Sequence, residues 1–152
     1  MTLFIFFVVV IVALASFGYF TKHVPKTAHL RYKPRLLMTN NELEFFHRIR
    51  RATLDGFVFP QVAMAGLIEP DGLHGAAYQA SFRRISQKRV DFVVYDALMK
   101  LVAVIELDDR THNPAKDAVR DANFSTAGIR TLRYESRAKP TIAKIRADLA
   151  SC

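Results

Sequence analysis

Two short segments set acids among apolar β-forming residues. Asp91 stands near the start of Gln87-Lys-Arg-Val-Asp-Phe92, and Glu106, Asp108 and Asp109 close Val104-Ile-Glu-Leu-Asp-Asp109. If residues 97–100 form a four-residue hairpin loop, Asp96 pairs with Leu101 and Asp91 stands directly opposite Glu106. Cross-strand neighbours of that kind hold their Cβ atoms about 4.5–5.5 Å apart on one face. The same register sets Val90, Phe92 and Val94 opposite Leu107, Ile105 and Ala103 as an apolar second face. A slip by one residue would split the two carboxylates. Carboxylates aimed at one point repel, and burial raises the cost. A shared divalent cation with hard oxygen ligands, Mg²⁺ or Mn²⁺, resolves that conflict. Ion pairing explains the same spacing equally simply: Asp91 with Lys88 or Arg89, and Asp108 with Arg89 opposite it.

The elements that must position these acids follow from local signals. Thr39-Asn-Asn-Glu42 reads as a capping box, with Leu43, Phe46, Ile49 and Thr53 at helical spacing, so a helix is predicted over 40–53. A strand over 57–62 carries Pro60, the mark of an edge or a bulge. Residues 65–81 are turn-rich, including Glu69-Pro-Asp-Gly72, with room for short helical pieces. Strands over 90–96 and 101–107 come next. Asn113-Pro114 then opens a helix whose buried face is Ala115, Ala118, Val119 and Ala122, and Gly128 stops it. On that helix Asp117, Arg120 and Asp121 sit at i, i+3 and i+4, the spacing of a surface ion-pair set. A strand over 129–134 and a final helix from Pro140, with Ile142, Ile145 and Leu149 inward, complete the chain. The order α-β-β-β-α-β-α predicts a small α/β layer fold with a central mixed sheet. Its crossover over 101–134 calls for parallel strands joined right-handedly.

Composition narrows the partners. The 152 residues carry a net charge of +8, 51% hydrophobic residues and one cysteine, Cys152. One cysteine excludes an internal disulfide and any cysteine-based zinc site. Leu3 to Phe20 is an uncharged run of 18 residues, and as a helix it spans about 27 Å, close to a bilayer's hydrocarbon thickness. A cleaved signal peptide would show Lys or Arg ahead of the run, and a buried core helix would keep a polar face. The expectation is therefore a transmembrane anchor over 1–20 and a basic juxtamembrane linker over 21–35 that meets anionic headgroups. The linker holds Lys22, Lys26, Arg31, Lys33 and Arg35 and no acid, which leaves residues 36–152 at +3. Basic charge on this flank places it in the cytoplasm, giving a single pass through the inner membrane with the N-terminus outside.

Asn41-Glu-Leu-Glu-Phe-Phe46, Pro60-Gln61-Val62, Ile85-Ser-Gln-Lys-Arg-Val-Asp-Phe92, Ile105-Glu-Leu-Asp-Asp-Arg-Thr-His112 and Arg120-Asp121 through Ala127-Gly128 form a recognisable series. It resembles a bacterial domain-of-unknown-function family placed in the PD-(D/E)XK restriction-endonuclease-like superfamily, near the very short patch repair endonucleases. The resemblance covers nearly all of 36–135. It implies a restriction-endonuclease-like αβββαβ core in which Asp91, Glu106 and the Leu107 backbone carbonyl are metal ligands. It also implies catalytic roles for Glu42 and His112 and a site-facing Gln61. Glu42 serves equally as the capping-box acid, and His112 equally as a surface-loop histidine. The superfamily's lysine, two residues after the acid, is replaced here by Asp108, which the repair-endonuclease branch also tolerates. Lys88 on the neighbouring strand is either its substitute or a solvated lysine.

The leading expectation is a membrane-anchored, metal-dependent nuclease-like protein that hydrolyses phosphodiester bonds. The alternatives are a non-cleaving nucleic-acid-binding module, touching the backbone through Arg83, Arg84, Lys88 and Arg89, and a membrane scaffold. No aromatic residue interleaves those four basics, and no motif points to a small-molecule cofactor.

Overall fold

The computed structural model describes Phe6, Val10, Ile11, Val12, Leu14, Ser16, residues 31–109 and residues 114–152, with side chains in the last range from Ala118 onward. The chain divides into two compact units, Met1–Arg35 and Leu36–Cys152. In the first unit the six described positions before residue 31 are helical. Apart from them, the expected anchor and most of the expected linker lie outside the described residues. Among the described residues no helix is long and apolar enough to cross a membrane.

The second unit contains α1 (Asn40–Ala52), β1 (Phe57–Ala63), a 3-10 turn (Met64–Gly66), α2 (Gly75–Ile85), β2 (Arg89–Tyr95), β3 (Leu101–Asp108), α3 (Pro114–Thr126), β4 (Thr131–Glu135) and α4 (Ile142–Ala150). Local chemistry explains the helix starts. The Glu42 carboxylate accepts from the Thr39 N–H at 2.6 Å while the Glu42 N–H donates to the Thr39 hydroxyl, so two otherwise orphaned donors are satisfied reciprocally. Thr141 caps α4 in the same way through the Lys144 N–H. Helix α2 lies in the stretch expected to be turn-rich with short helical pieces, and the turn at Glu69-Pro-Asp-Gly72 is real, with Gly72 at φ +66. Beyond it Gly75-Ala-Ala-Tyr-Gln-Ala-Ser-Phe82 is rich enough in helix formers to run on, and Tyr78 and Phe82 stack one turn apart at 6.0 Å. The observed order is α-β-α-β-β-α-β-α.

The sheet runs β1-β2-β3-β4, with β1–β2 and β2–β3 antiparallel and β3–β4 parallel. Pro60 lies on the edge strand β1, the position that its missing N–H favours. Helices cover both faces. Phe45, Ile49 and Ala52 of α1 and Ile145 of α4 pack on Phe92, Val94, Ala103, Ile105, Leu107 and Leu132. On the other face Met64, Ile85 of α2 and Phe124 of α3 pack on Val90, Val93 and Val104. The result is a three-layer α/β/α unit.

Several details differ from expectation. Phe92 pairs with Ile105 and Val94 with Ala103 as predicted, but the ladder shifts between Val94 and Tyr95, and Tyr95 rather than Asp96 pairs with Leu101. Asp96 leaves the ladder because its carboxylate accepts from the N–H groups of Leu98 at 2.9 Å and Lys100 at 2.8 Å, closing a longer turn around Met99 at φ +60. Val90 joins the second core rather than the first; it lies beside the kink that β1 takes at Gln61, φ +54. On α1 the buried stripe is Phe45, Ile49 and Ala52, with Leu43 exposed. On α3, Ala118, Val119 and Ala122 are exposed, and the inward side is Phe124 with Arg120 and Asp121 half-buried. Acids on the facing strands draw that basic residue inward.

Gly56 joins α1 to β1 where only glycine fits: a Cβ there would stand 2.2 Å from the Tyr95 carbonyl oxygen. The obstacle is backbone of β2, which cannot yield without disturbing the sheet. Gly56→Ala is expected to destabilise the protein by about 2–3 kcal/mol, read as a lowered midpoint of denaturant unfolding.

Candidate functional site

Asp91 near the start of β2 and Glu106 near the end of β3 meet where the β2–β3 ladder opens beyond Phe92–Ile105. Their carboxyl groups hydrogen-bond to each other. Asp91 Oδ2 also accepts from the Leu107 backbone N–H at 2.9 Å, replacing the strand partner that the opened ladder no longer supplies. Leu107, expected to contribute its carbonyl, thus enters the site through its N–H. Glu106 is only 2% exposed, the one buried charged residue among those described. Burial, followed by the Asp91 charge, pushes its carboxyl up to about 8, despite the opposing charges of Arg120 and Arg133. Burial also raises Asp91, partly offset by the Leu107 N–H and the Glu106 carboxyl. Both carboxyls are thus held above the ordinary carboxylate range by the desolvated setting they share.

Two arginines that local spacing places elsewhere surround this pair. Arg120 of α3 brings Nε to 3.2 Å from Glu106 Oε1, an ion-pair distance at an angle that leaves Glu106 Oε1 buried without a hydrogen bond. Arg133 of β4 is the strand neighbour of Glu106. Its guanidinium forks onto Asp121 at 2.8 and 3.0 Å and reaches Asp108 Oδ1 at 2.7 Å. Of the expected surface set on α3, Arg120 and Asp121 are thus turned toward the sheet, the Asp117 side chain lying outside the described residues, and Asp108 pairs with Arg133 rather than Arg89. Strand alternation holds the signal for Arg133: Leu132 is buried in the first core, so Arg133 belongs to the face that carries Glu106.

Gln61 and Glu42 close the site on its other side. Gln61 lies between the Pro60–Phe92 and Val62–Val90 pairs, level with Asp91. Its left-handed backbone is unusual for a non-glycine residue and takes the side chain out of strand alternation. Its Nε2 donates to Glu42 Oε1 at 3.2 Å. Glu42 uses its other oxygen in the capping box, and its charge adds to the forces that raise Asp91. Both of its expected roles, cap and site neighbour, are therefore compatible.

The four expected backbone-binding cations are exposed: Arg83 and Arg84 in the last turn of α2, Lys88 before β2 and Arg89 at its start. Lys88 and Arg89 are not the partners of Asp91. His112 lies outside the described residues, and Asp109 is exposed. Among the described residues no three His, Cys, Asp or Glu side chains are grouped to hold a metal ion.

A family model described as a protein of unknown function, DUF2726, matches residues 34–152. An uncharacterized protein of Haemophilus influenzae is 32% identical over 113 residues, covering 69% of this chain and 56% of the relative. The chain thus spans just over half the length of that curated relative. No solved structure matches it.

Proposed function

The chain belongs to the DUF2726 family of proteins of unknown function, and we propose that its Leu36–Cys152 unit is a divalent-metal-dependent, nuclease-like domain of the PD-(D/E)XK type that hydrolyses phosphodiester bonds. The observation that carries this reading is the close pairing of Asp91 with the buried Glu106 where two strands part, with burial raising both acids. The element order, with β3 and β4 parallel around α3 and α2 set between β1 and β2, supports this reading. The donors suit a hard cation: Asp91 and Glu106 offer carboxylate oxygens, and Glu106 Oε1 is buried without a hydrogen bond. When bound, Mg²⁺ or Mn²⁺ supplies Lewis acidity and lowers the pKa of a water molecule.

The protein's own groups divide the remaining work. The Leu107 N–H fixes the Asp91 carboxylate. Gln61 orients Glu42, which stands close enough to Asp91 to hold or accept a proton from a water beside the pair. Arg120, 3.2 Å from Glu106, balances the site's negative charge and can meet a phosphate oxygen. Arg83, Arg84, Lys88 and Arg89 supply backbone-binding charge beside the acids. The apolar run over 3–20 would tether this unit to the cytoplasmic side of the inner membrane, with the basic linker against anionic headgroups.

A second reading, a nucleic-acid-binding module without cleavage, is favoured by Asp108. It stands where the superfamily carries lysine and is held by Arg133. Calorimetric titration of Mn²⁺ into the full-length protein and its Asp91→Ala and Glu106→Ala variants tests both readings. Each substitution is expected to weaken metal binding by at least about a hundredfold and to abolish cleavage of labelled DNA or RNA. Equal Mn²⁺ binding by wild type and variants would remove the metal site. Metal binding without any cleavage would select the second reading.

A further inference from the structure

The end of the sheet away from the acids is apolar where turns are ordinarily polar. The β2–β3 turn runs Asp96-Ala-Leu-Met-Lys100. Its tip exposes Leu98 at 89% and Met99 at 53%, and Leu54, in the loop between α1 and β1, is 72% exposed. Four hydrogen bonds fix the turn. Besides the two N–H groups that the Asp96 carboxylate holds, the Asp96 N–H donates to the Lys100 carbonyl at 2.9 Å and the Met99 N–H to the Asp96 carbonyl at 3.1 Å. Met99 takes the left-handed backbone at φ +60, where glycine or asparagine is ordinary. The apolar tip is thus built against backbone preference rather than left over in a slack loop. Between this hairpin, the end of α1 and α4 lies an open groove of about 400 Å³, walled by Ala52, Leu54, Val94, Val102 and Leu149 and flanked by Arg146.

Cations stand around this apolar end. Arg50 and Arg51 in the last turn of α1, Lys100 in the turn and Arg146 on α4 are all exposed. Arg146 donates to the Arg51 carbonyl at 3.2 Å, which brings the charge of α4 beside that of α1. Among the described residues none of the four is paired with an acid. The acids at this end are Asp55 and Asp96, and Asp96 is engaged by the turn.

We propose that this end of the Leu36–Cys152 unit docks on an anionic phospholipid bilayer, with Leu54, Leu98 and Met99 entering the interface and Arg50, Arg51, Lys100 and Arg146 meeting headgroup phosphates. Charge complementarity selects the occupant. A bilayer surface offers an aliphatic layer beneath negative charge, which matches aliphatic side chains ringed by cations. An isologous dimer would set the same four cations against their own copies. A nucleic acid would meet the cations but leave three aliphatic side chains in water, none of them a ring that stacks a base. The proposal goes beyond the phosphodiester reading and does not rest on it, since the acids lie at the other end of β2 and β3.

The chain contains no tryptophan, and Leu98 is exposed enough to be replaced without disturbing the core, so Leu98→Trp places a single reporter at the tip. The full-length variant is reconstituted into vesicles of phosphatidylcholine, alone or mixed with an equal amount of phosphatidylglycerol. The readout is local, so insertion of the apolar run over 3–20 does not imitate it. Emission should shift to the blue and be quenched by brominated acyl chains in the anionic vesicles only, and both changes should fade as salt rises. Arg50→Gln, Arg51→Gln and Lys100→Gln combined should abolish the shift, at about fivefold in docking per cation. Solvent-like emission in anionic vesicles, or an equal shift in both vesicle types, would overturn the proposal. So would a shift in lipid-free detergent that grows with protein concentration, which assigns the tip to a second copy, or a response to oligonucleotide with none to vesicles. None of these outcomes involves Mn²⁺, so the nuclease reading stands or falls separately.

Discussion

The metal-free protein is expected to lose on the order of 4 kcal/mol of stability as the pH rises from about 5 to about 8.5, and Glu106→Gln is expected to abolish most of that loss. Glu106 is raised from its ordinary 4.5 to about 8 in the folded protein. Between those values the folded state holds a proton that the unfolded chain has released. Unfolding therefore releases a proton, and rising pH favours it. The contribution is fully present below the unfolded value and disappears as the pH passes through about 8. Asp91 is raised too and acts in the same direction. Glutamine keeps the volume and can donate to Asp91 without titrating, so its stability curve should be nearly flat over this range. If the pair binds metal as proposed, saturating Mn²⁺ should reverse the trend, because a cation favours the ionised pair and stabilises the protein more as the pH rises. Urea unfolding midpoints at half-unit pH steps measure all three. A wild-type midpoint that does not fall above pH 6, or one that falls equally in Glu106→Gln, would show that the pair does not share a buried proton.

Arg133→Ala should be the most damaging substitution at a residue that is not fully buried, costing about 2–4 kcal/mol. Its guanidinium makes three charge-assisted bonds, two to Asp121 of α3 and one to Asp108 of β3. It joins the edge strand β4 to both neighbours, and its removal leaves two acids beside Glu106 with reduced compensation. The side chain is 23% exposed, so solvent screens part of the loss and the figure stays below that for a wholly buried pair. Lysine should recover less than half, because a single ammonium cannot reproduce the planar fork onto Asp121. Arg133 also lowers Glu106, so the alanine variant should move the pH-dependent loss of stability to higher pH. A cost under about 0.5 kcal/mol would class the network with ordinary surface ion pairs.

This network bears on Asp108 as well. Its carboxylate would add a third negative charge to the site. Arg133 neutralises it from the neighbouring strand, so charge balance near Glu106 is kept by a residue 25 positions further along the chain. Positive charge near the acids is thus supplied by two arginines, Arg120 and Arg133, which is compatible with either cleavage or binding alone.

How much was legible beforehand differs element by element. The capping box at Thr39–Glu42, the alternation of β2 and β3 and the stop at Gly128 are local rules, readable within a few residues. The facing of Asp91 and Glu106 was also legible, since burial of Phe92, Val94, Ala103 and Ile105 on one face forces the acids together on the other. It survived even though the assumed hairpin loop was wrong, because the shift falls beyond Val94, on the turn side of the acids. Helix α2 was foreseen only as short helical pieces, because turn residues at Glu69–Gly72 masked a helix that begins three residues later. The inward side of α3 was misread for a different reason. Its alanines suit either face, and the choice followed from charge on strands 10 to 30 residues away in sequence.

Residue order alone therefore establishes every element but α2, the mixed sheet and one facing pair of acids, because periodicity, capping and strand parity act over short stretches of chain. Three other features depend on which helix covers which part of the sheet. Arg120 and Arg133 turn inward because the buried Glu106 and the half-buried Asp108 lie beside them. Gln61 leaves strand alternation to reach Glu42 on a different element. Phe57 and Phe59 stay exposed because α2 and α3 end their cover short of the hairpin. Each is set by contacts between segments distant in sequence, where burial, charge and reach are decided by packing rather than by spacing.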